Sequence, residues 1–168
     1  AAYGFKEFVL ALGYQEWKIK EYFLNYSSLN NDFTVSLKDG AISIHQGAQQ
    51  EDWMVALVNT GEETLKGARI KRLASYLDDD RFMVTYGDVV SDVTRDRLFA
   101  YHRQSGLTGT FTGVRMPSRF GAVETDQSGR ILSWRERPEL NSFVNAGFFV
   151  FERQFLDYLS EDPSCDLE

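Results

Sequence analysis

An apolar run, Phe82–Tyr86, breaks off at Gly87-Asp88, and that break narrows the choice of architecture. Residues apolar on both faces suit a buried strand of a parallel sheet. Open α/β sheets bind ligands outside the carboxyl ends of such strands. A Gly there lets another group approach the backbone, and the Asp beside it can hold a hard cation such as Mg²⁺ against phosphate oxygens. The same two residues also suit a plain turn with a helix cap to follow.

The 168 residues are enough for one domain with a sizeable core, and 43% hydrophobic with 26% charged residues is an ordinary globular balance. A net charge of −7 speaks against nonspecific nucleic-acid binding, which needs clustered Lys and Arg; a nucleotide whose phosphates arrive with a metal stays open. The aromatic residues, led by 13 Phe and 8 Tyr, can serve the core or offer flat surfaces to a sugar, a base or another subunit. A lone Cys165 gives neither a disulfide framework nor a zinc motif and points to the cytoplasm. No apolar run is long enough to span a membrane, and no signal peptide is visible. Gly4 suits the position just past a helix end, and Asp166–Glu168 follow a helical stretch, so the sequence reads as a piece of a longer protein.

Along the chain, Phe8–Leu12 reads as a central strand, and Glu16–Tyr26 as a helix. Phe33–Leu37 and Ile42–Ile44 alternate around Asp39-Gly40, a strong hairpin signal. Trp53–Val58 is a strand ended by Asn59-Thr60-Gly61, and a helix over 68–77 puts Ile70, Leu73, Ala74 and Leu77 on one face. Ser91 or Asp92 can cap a helix reaching Gln104, with Asp96 in its first turn and Gly106 after its end. Thr108–Arg115 is strand-like, Ala122–Glu124 and Ile131–Trp134 form a second hairpin, Asn145–Phe151 is a strand, and Gln154–Leu159 starts a last helix. Strands alternate with helices first and β-rich hairpins follow, which implies an α/β sheet with an elaborated second half, built as one domain.

Several segments suit a phosphate-bearing ligand. Thr60-Gly61 closes a strand, and Thr64, Lys66-Gly67 and Arg69 lead into a helix whose N-terminus offers free N–H groups, with Arg69 as a guanidinium fork. Alone, Arg69 also reads as an exposed helix residue. Glu136-Arg137-Pro138 offers a carboxylate for sugar hydroxyls and a cation for a sugar phosphate, or is a charged loop. Gly121 and Gly147 each stand beside aromatics, where backbone amides can meet a sugar ring; each also fits a routine bulge or turn. His45 and His102 have no paired Ser or Cys, so a hydrolytic triad has little support and both read as core or surface residues.

In order, GYQEWKIKEYFLNY (13–26), WMVALVNTGEETLKGARIKRLASYL (53–77), FMVTYGD (82–88), RFGAVE (119–124), ERP (136–138) and NAGFFVF (145–151) resemble the sugar-nucleotide pyrophosphorylases. The insert at 33–45 points to their glucose-1-phosphate cytidylyltransferase branch. The resemblance implies a nucleotide-diphospho-sugar transferase fold, a Rossmann-like mixed sheet with a β-hairpin insert, present here as a partial domain over 1–168 and truncated at both ends. It implies CTP and glucose 1-phosphate as substrates, CDP-glucose and pyrophosphate as products, Mg²⁺ as cofactor, and a homo-oligomer with no nucleic-acid or membrane partner. By motif, Asp88 matches the catalytic metal-binding Asp, and Thr60, Gly61, Thr64, Arg69 and Gly87 the nucleotide side. Gly121, Glu136, Arg137 and Gly147 match the sugar-phosphate side.

The sequence departs from that pattern. The glycine-rich signature loop and a second metal-binding Asp are not among these residues, so the 168 residues by themselves are expected to be inactive. Asn59 stands for a usual Asp, Val89 for a Gly and Arg137 for a Lys. A non-catalytic sugar-nucleotide-binding or assembly module, and a metal-dependent glycosyltransferase of related fold, are the competing readings. The latter would bind its metal through Asp88 and Asp92, which lack the Asp-x-Asp spacing expected there.

Overall fold

The structure, a computed structural model, describes residues 4–45, 51–140 and 142–168. The chain divides into two compact units, Ala1–Asp78 with Leu156–Glu168, and Asp79–Phe155.

In the first unit, β1 (Glu7–Leu12) pairs in parallel with β4 (Met54–Asn59), from Glu7 opposite Met54 to Leu12 opposite Asn59. Among the described residues β4 is the ladder partner of β1, so the expected central strand has one neighbour within its unit. Between these strands run α1 (Glu16–Leu24), a single turn α2 (Tyr26–Leu29), and the hairpin of β2 (Phe33–Val35) with β3 (Ile42–Ile44). The Glu16–Lys20 pair at 3.0 Å supports α1 at i,i+4 spacing. In the hairpin, Phe33 faces Ile44 and Val35 faces Ile42. The expected strand over 33–37 is shorter: Ser36 enters the turn by accepting the Gly40 N–H at 2.8 Å, which leaves Leu37 94% exposed. The helix expected over 68–77 starts earlier and breaks sooner, as α3 (Lys66–Arg72) and a 3₁₀ turn at Ala74–Tyr76. Ala68, Ile70 and Leu73 are buried here, as are Leu12, Leu156 and Leu159. Each such Leu or Ile contributes roughly 1.5–3 kcal/mol relative to its exposed state.

The second unit is built on β9 (Val144–Glu152), whose residues Gly147–Phe151 are all buried. It lies between β5 (Arg81–Thr85) and β6 (Gly109–Val114), antiparallel to both. The expectation of parallel pairing for Phe82–Tyr86 therefore fails within this unit. Phe82 is the one fully buried residue of β5, and the two-faced burial belongs to β9 instead. Four successive large apolar side chains, Phe148–Phe151, mark the strand covered on both faces. Leu98 of α4 (Arg95–Ser105) packs with Phe148 and Val150, and Met83, Val89, Val93 and Phe99 close around them.

The start of α4 differs from the sequence reading. Thr94 is its N-cap, without a side-chain bond, while Ser91 Oγ accepts the Val93 N–H at 3.0 Å and forms a local turn. Its end is as read, with Gly106 left-handed at φ 63°. His102 is a core residue at 1% exposure, its Nδ1 2.8 Å from Thr110 Oγ1 and its Nε2 3.3 Å from Glu152 Oε1. His45 lies on the exposed hairpin, Nε2 2.9 Å from Thr34 Oγ1. A separate hairpin joins β7 (Ala122–Thr125) to β8 (Ile131–Arg135). The last expected helix is a 3₁₀ stretch, Arg153–Tyr158. Gly4 has the left-handed φ of 77° that suits a helix end, but the expectation of a helix before it concerns residues 1–3, outside the described residues.

Candidate active site

β1 and β4 are parallel, so Leu12 and Asn59 end them on the same side, and the loop Thr60–Leu65 starts there. Thr60 is 1% exposed; its N–H and its hydroxyl both donate to Leu12 O, at 2.8 and 2.9 Å. Gly61 adopts φ 96°, and its N–H donates to Asn59 Oδ1 at 2.8 Å. Asn59 thus makes a turn that an Asp carboxylate makes equally well, so its departure from the family pattern leaves the loop geometry intact.

Some of the donors expected to be free here are taken. The Leu65 and Ala68 N–H groups donate to the carbonyls of Pro163 and Cys165, at 2.8 and 3.0 Å. Arg69 spends its fork on main chain and Thr60: Nε donates to Thr64 O at 2.8 Å and Nη2 to Glu62 O at 3.0 Å. Nη1 donates to Leu12 O at 3.1 Å and Thr60 Oγ1 at 2.8 Å. Amides and carbonyls drawn into a packed loop must find partners, and the chain's own groups are nearer than any ligand. Burial, and then the neighbouring Arg72 charge, hold Arg69 below the usual guanidinium value.

In the second unit the structure brings Gly87, Asp88 and Gly147 together around Tyr86. Register along β9 shifts between Phe111 opposite Phe149 and Gly113 opposite Asn145, so β9 bulges at Gly147. Tyr86 N–H donates to Gly147 O at 3.2 Å, and Asn145 holds the bulge through Tyr86 OH at 3.2 Å and the Gly147 N–H at 2.8 Å. Gly147 sits at φ 75°, and a Cβ there would stand 2.8 Å from Tyr86 Cδ2. Gly147→Ala is therefore expected to destabilise the protein by about 1–3 kcal/mol, the range for a strained left-handed residue. Urea denaturation of the pair checks this; equal midpoints would show that the bulge relaxes freely.

Beyond Tyr86, Gly87 has open space on its Cβ side and Asp88 is exposed. No hydrogen bond or ion pair engages the Asp88 carboxylate among the described residues. Among those residues no three His, Cys, Asp or Glu side chains cluster as a metal cage. A single unengaged carboxylate still fits Mg²⁺, which takes one or two protein carboxylates and completes its shell with water and phosphate oxygens.

Gly121 and Glu136 also meet. A Cβ on Gly121 would lie 3.2 Å from Glu136 Oε2 and 3.1 Å from Trp134 Nε1. Arg135 and Ser133 both bond Glu124, at 2.6 and 2.9 Å, so Glu124 is the carboxylate tied within this hairpin. Arg137 is exposed and left-handed at φ 47°, an uncommon conformation for a residue with a Cβ. The sequence reading missed Tyr86, Asn145, Trp134 and Arg72. Asn145 opens the segment NAGFFVF, and the Arg69/Arg72 spacing of three is a visible signal of one helix face.

Residues 26–167 match the Nucleotidyl transferase family. The glucose-1-phosphate cytidylyltransferase of Salmonella typhi is 35% identical over 166 residues, covering 98% of this chain and 64% of that protein. The probable glucose-1-phosphate cytidylyltransferase of Bacillus subtilis (strain 168) is 36% identical over 166 residues, with 99% and 64% covered. The chain thus spans 64% of the length of these curated relatives. Among solved structures, HddC from Yersinia pseudotuberculosis superposes with a TM-score of 0.57 at 15% identity, over 92% of this chain and 60% of that one; the likeness is one of fold. A match over most of its length, together with the mixed α/β architecture, shows that this chain belongs to the nucleotidyl transferase family.

Proposed function

We propose that this protein is a glucose-1-phosphate cytidylyltransferase, forming CDP-glucose and pyrophosphate from CTP and glucose 1-phosphate. The observation that carries nucleotidyl transfer is the unengaged Asp88 carboxylate at the end of β5, beside the bulge at Gly147. The choice of cytidine and glucose is supported by the 35–36% identity to the two cytidylyltransferases across nearly the whole chain.

In the reaction a phosphate oxygen of glucose 1-phosphate attacks the α-phosphorus of CTP in line. The new P–O bond forms as the bond to the β-phosphate oxygen breaks, and pyrophosphate leaves with that electron pair. Catalysis is positioning plus charge stabilisation. Asp88 would hold a Mg²⁺ ion, which when bound would supply positive charge to the phosphate oxygens. Thr60, Gly61 and Thr64 shape the nucleotide loop, with Arg69 beneath it. Gly87 lets the nucleotide lie against the backbone. Glu136, next to Gly121, accepts sugar hydroxyls, Arg137 neutralises the sugar phosphate, and Gly147 shapes the floor beside Asp88.

The setting proposed is cytoplasmic, where nucleoside triphosphates are available, and the enzyme a homo-oligomer. No helix among the described residues is long and apolar enough to cross a membrane. The test is a panel of CTP, UTP, dTTP, GTP and ATP with glucose 1-phosphate and the full-length protein, with nucleotide sugars separated chromatographically. CTP is expected to lead in kcat/KM by at least about tenfold, equivalent to ~1.4 kcal/mol of discrimination. Preference for another base would sink the cytidylyl assignment, and inertness toward all five the nucleotidyl transfer itself.

A further inference from the structure

Arg69 and Arg72 stand three residues apart in α3 and so on one helix face. Arg72 repeats what Arg69 does. Its Nη1 donates to Thr60 O at 2.7 Å and Thr64 Oγ1 at 3.0 Å, and its Nη2 to Glu161 O at 2.8 Å. Together the two forks reach Thr60, Glu62 and Thr64 on the loop, Leu12 at the end of β1, and Glu161. Two glycines make the fit possible. A Cβ on Gly13 would stand 2.7 Å from both Nη atoms of Arg69, and one on Gly61 would stand 2.8 Å from Arg72 Nη1.

The acceptors are carbonyls and hydroxyls. Among the described residues neither guanidinium forms an ion pair with a carboxylate within 4.0 Å. Guanidinium groups drawn into protein are the usual partners of carboxylate or phosphate. Here two positive charges, without a carboxylate in direct contact, lie at short range beneath a loop at the carboxyl ends of two parallel strands, where open α/β sheets receive ligands. The Asp162 carboxyl is held below its usual value by the Ser164 hydroxyl first, and the Arg72 charge also reaches it and helps. A loop already fixed by hydrogen bonds loses little freedom when an anion arrives, and that preorganisation appears as affinity.

We propose that Arg69 and Arg72 are positioning residues: they hold the loop Thr60–Thr64 in its nucleotide-receiving shape in the free protein and leave their charge to the polyphosphate. This rests on the nucleotidyl transfer proposed above and assigns the pair to the nucleotide, not to the sugar phosphate.

The test compares Arg72→Lys, Arg72→Ala and Gly13→Ala with the wild-type full-length protein. The readouts are kcat, the KM of each substrate, the melting temperature and amide hydrogen exchange of residues 60–65. Lysine keeps the charge but not the fork. Arg72→Lys is expected to raise the KM for CTP about tenfold, leave that for glucose 1-phosphate within about twofold, and speed exchange in the loop; Gly13→Ala, whose Cβ would stand 2.7 Å from both the Arg69 fork and the Gly61 carbonyl oxygen, is expected to do the same. Faster exchange with an unchanged KM for CTP would overturn the proposal. So would equal losses toward both substrates with a lowered melting temperature, the mark of a merely structural brace. Should Arg72→Ala fail to fold, the other two variants decide the matter. An active wild type with unaffected variants refutes this inference alone, whereas a wild type inert toward every nucleotide removes the proposed function and this inference with it.

Discussion

Replacing Asp88 by Asn is expected to cut metal-dependent turnover by about 10³-fold, on the order of the loss from removing one preorganised charge-stabilising group. The melting temperature is expected to stay within about 1–2 °C. The two halves of this result have separate physical causes. Asp88 is exposed, and no partner among the described residues engages its carboxylate, so the fold loses nothing with the charge. Surface substitutions of that kind change stability by about 0.5 kcal/mol or less. A carboxylate kept only for a turn or a helix cap would behave otherwise: its loss would cost stability and spare the rate. The structure weakens that alternative, because the N-cap of α4 is Thr94 and the local turn before it is made by Ser91. Steady-state assays across a Mg²⁺ titration, with a thermal melt of the same samples, separate the two. Wild-type turnover in the variant would rule out Asp88 as the metal ligand.

What the sequence made legible follows from range. The hairpin of β2 and β3 was readable because alternation around Asp39-Gly40 is a local signal, as was the left-handed stop at Gly106. The partner of β5 was not. An apolar run states that a strand is covered but not by which neighbour, and β9 lies more than sixty residues downstream. At the candidate site, the sequence nominates single residues where the proposed chemistry needs a particular type, as with Asp88, Gly121 and Glu136, and the last two lie close together. The occupancy of donors could not be read. Arg69 looks the same in sequence whether its fork faces a ligand or the carbonyls of Leu12, Glu62 and Thr64. The covering of Leu65 and Ala68 by Pro163 and Cys165 is equally long-range. The left-handed Arg137 gave no warning either, since its neighbour Pro138 reports only an extended or turn dipeptide.

The hairpin insert carries the other large expected effect. Phe33, Val35, Ile42 and Ile44 share one face, paired across the strands, and they are 47, 44, 59 and 40% exposed. Thr34 and Ser43 occupy the opposite face. A hairpin of three residues per strand is marginal on its own and needs a surface against its apolar side. Among the described residues of its own unit that side is left open. The proposed homo-oligomer would supply a cover: with the insert packed on a neighbouring subunit, each of these side chains would contribute roughly 1.5–3 kcal/mol on burial. Val35→Asp combined with Ile44→Asp puts two carboxylates where neither has a partner. Burying them carries a cost of several kcal/mol that the interface cannot offset, while an isolated subunit leaves both in water. The double variant is therefore expected to run as a monomer at concentrations where the wild type is assembled, with its melting curve little changed apart from the lost association. Light scattering gives the mass directly. An assembled double variant, or a wild-type full-length protein that is already monomeric, would refute this role for the hairpin.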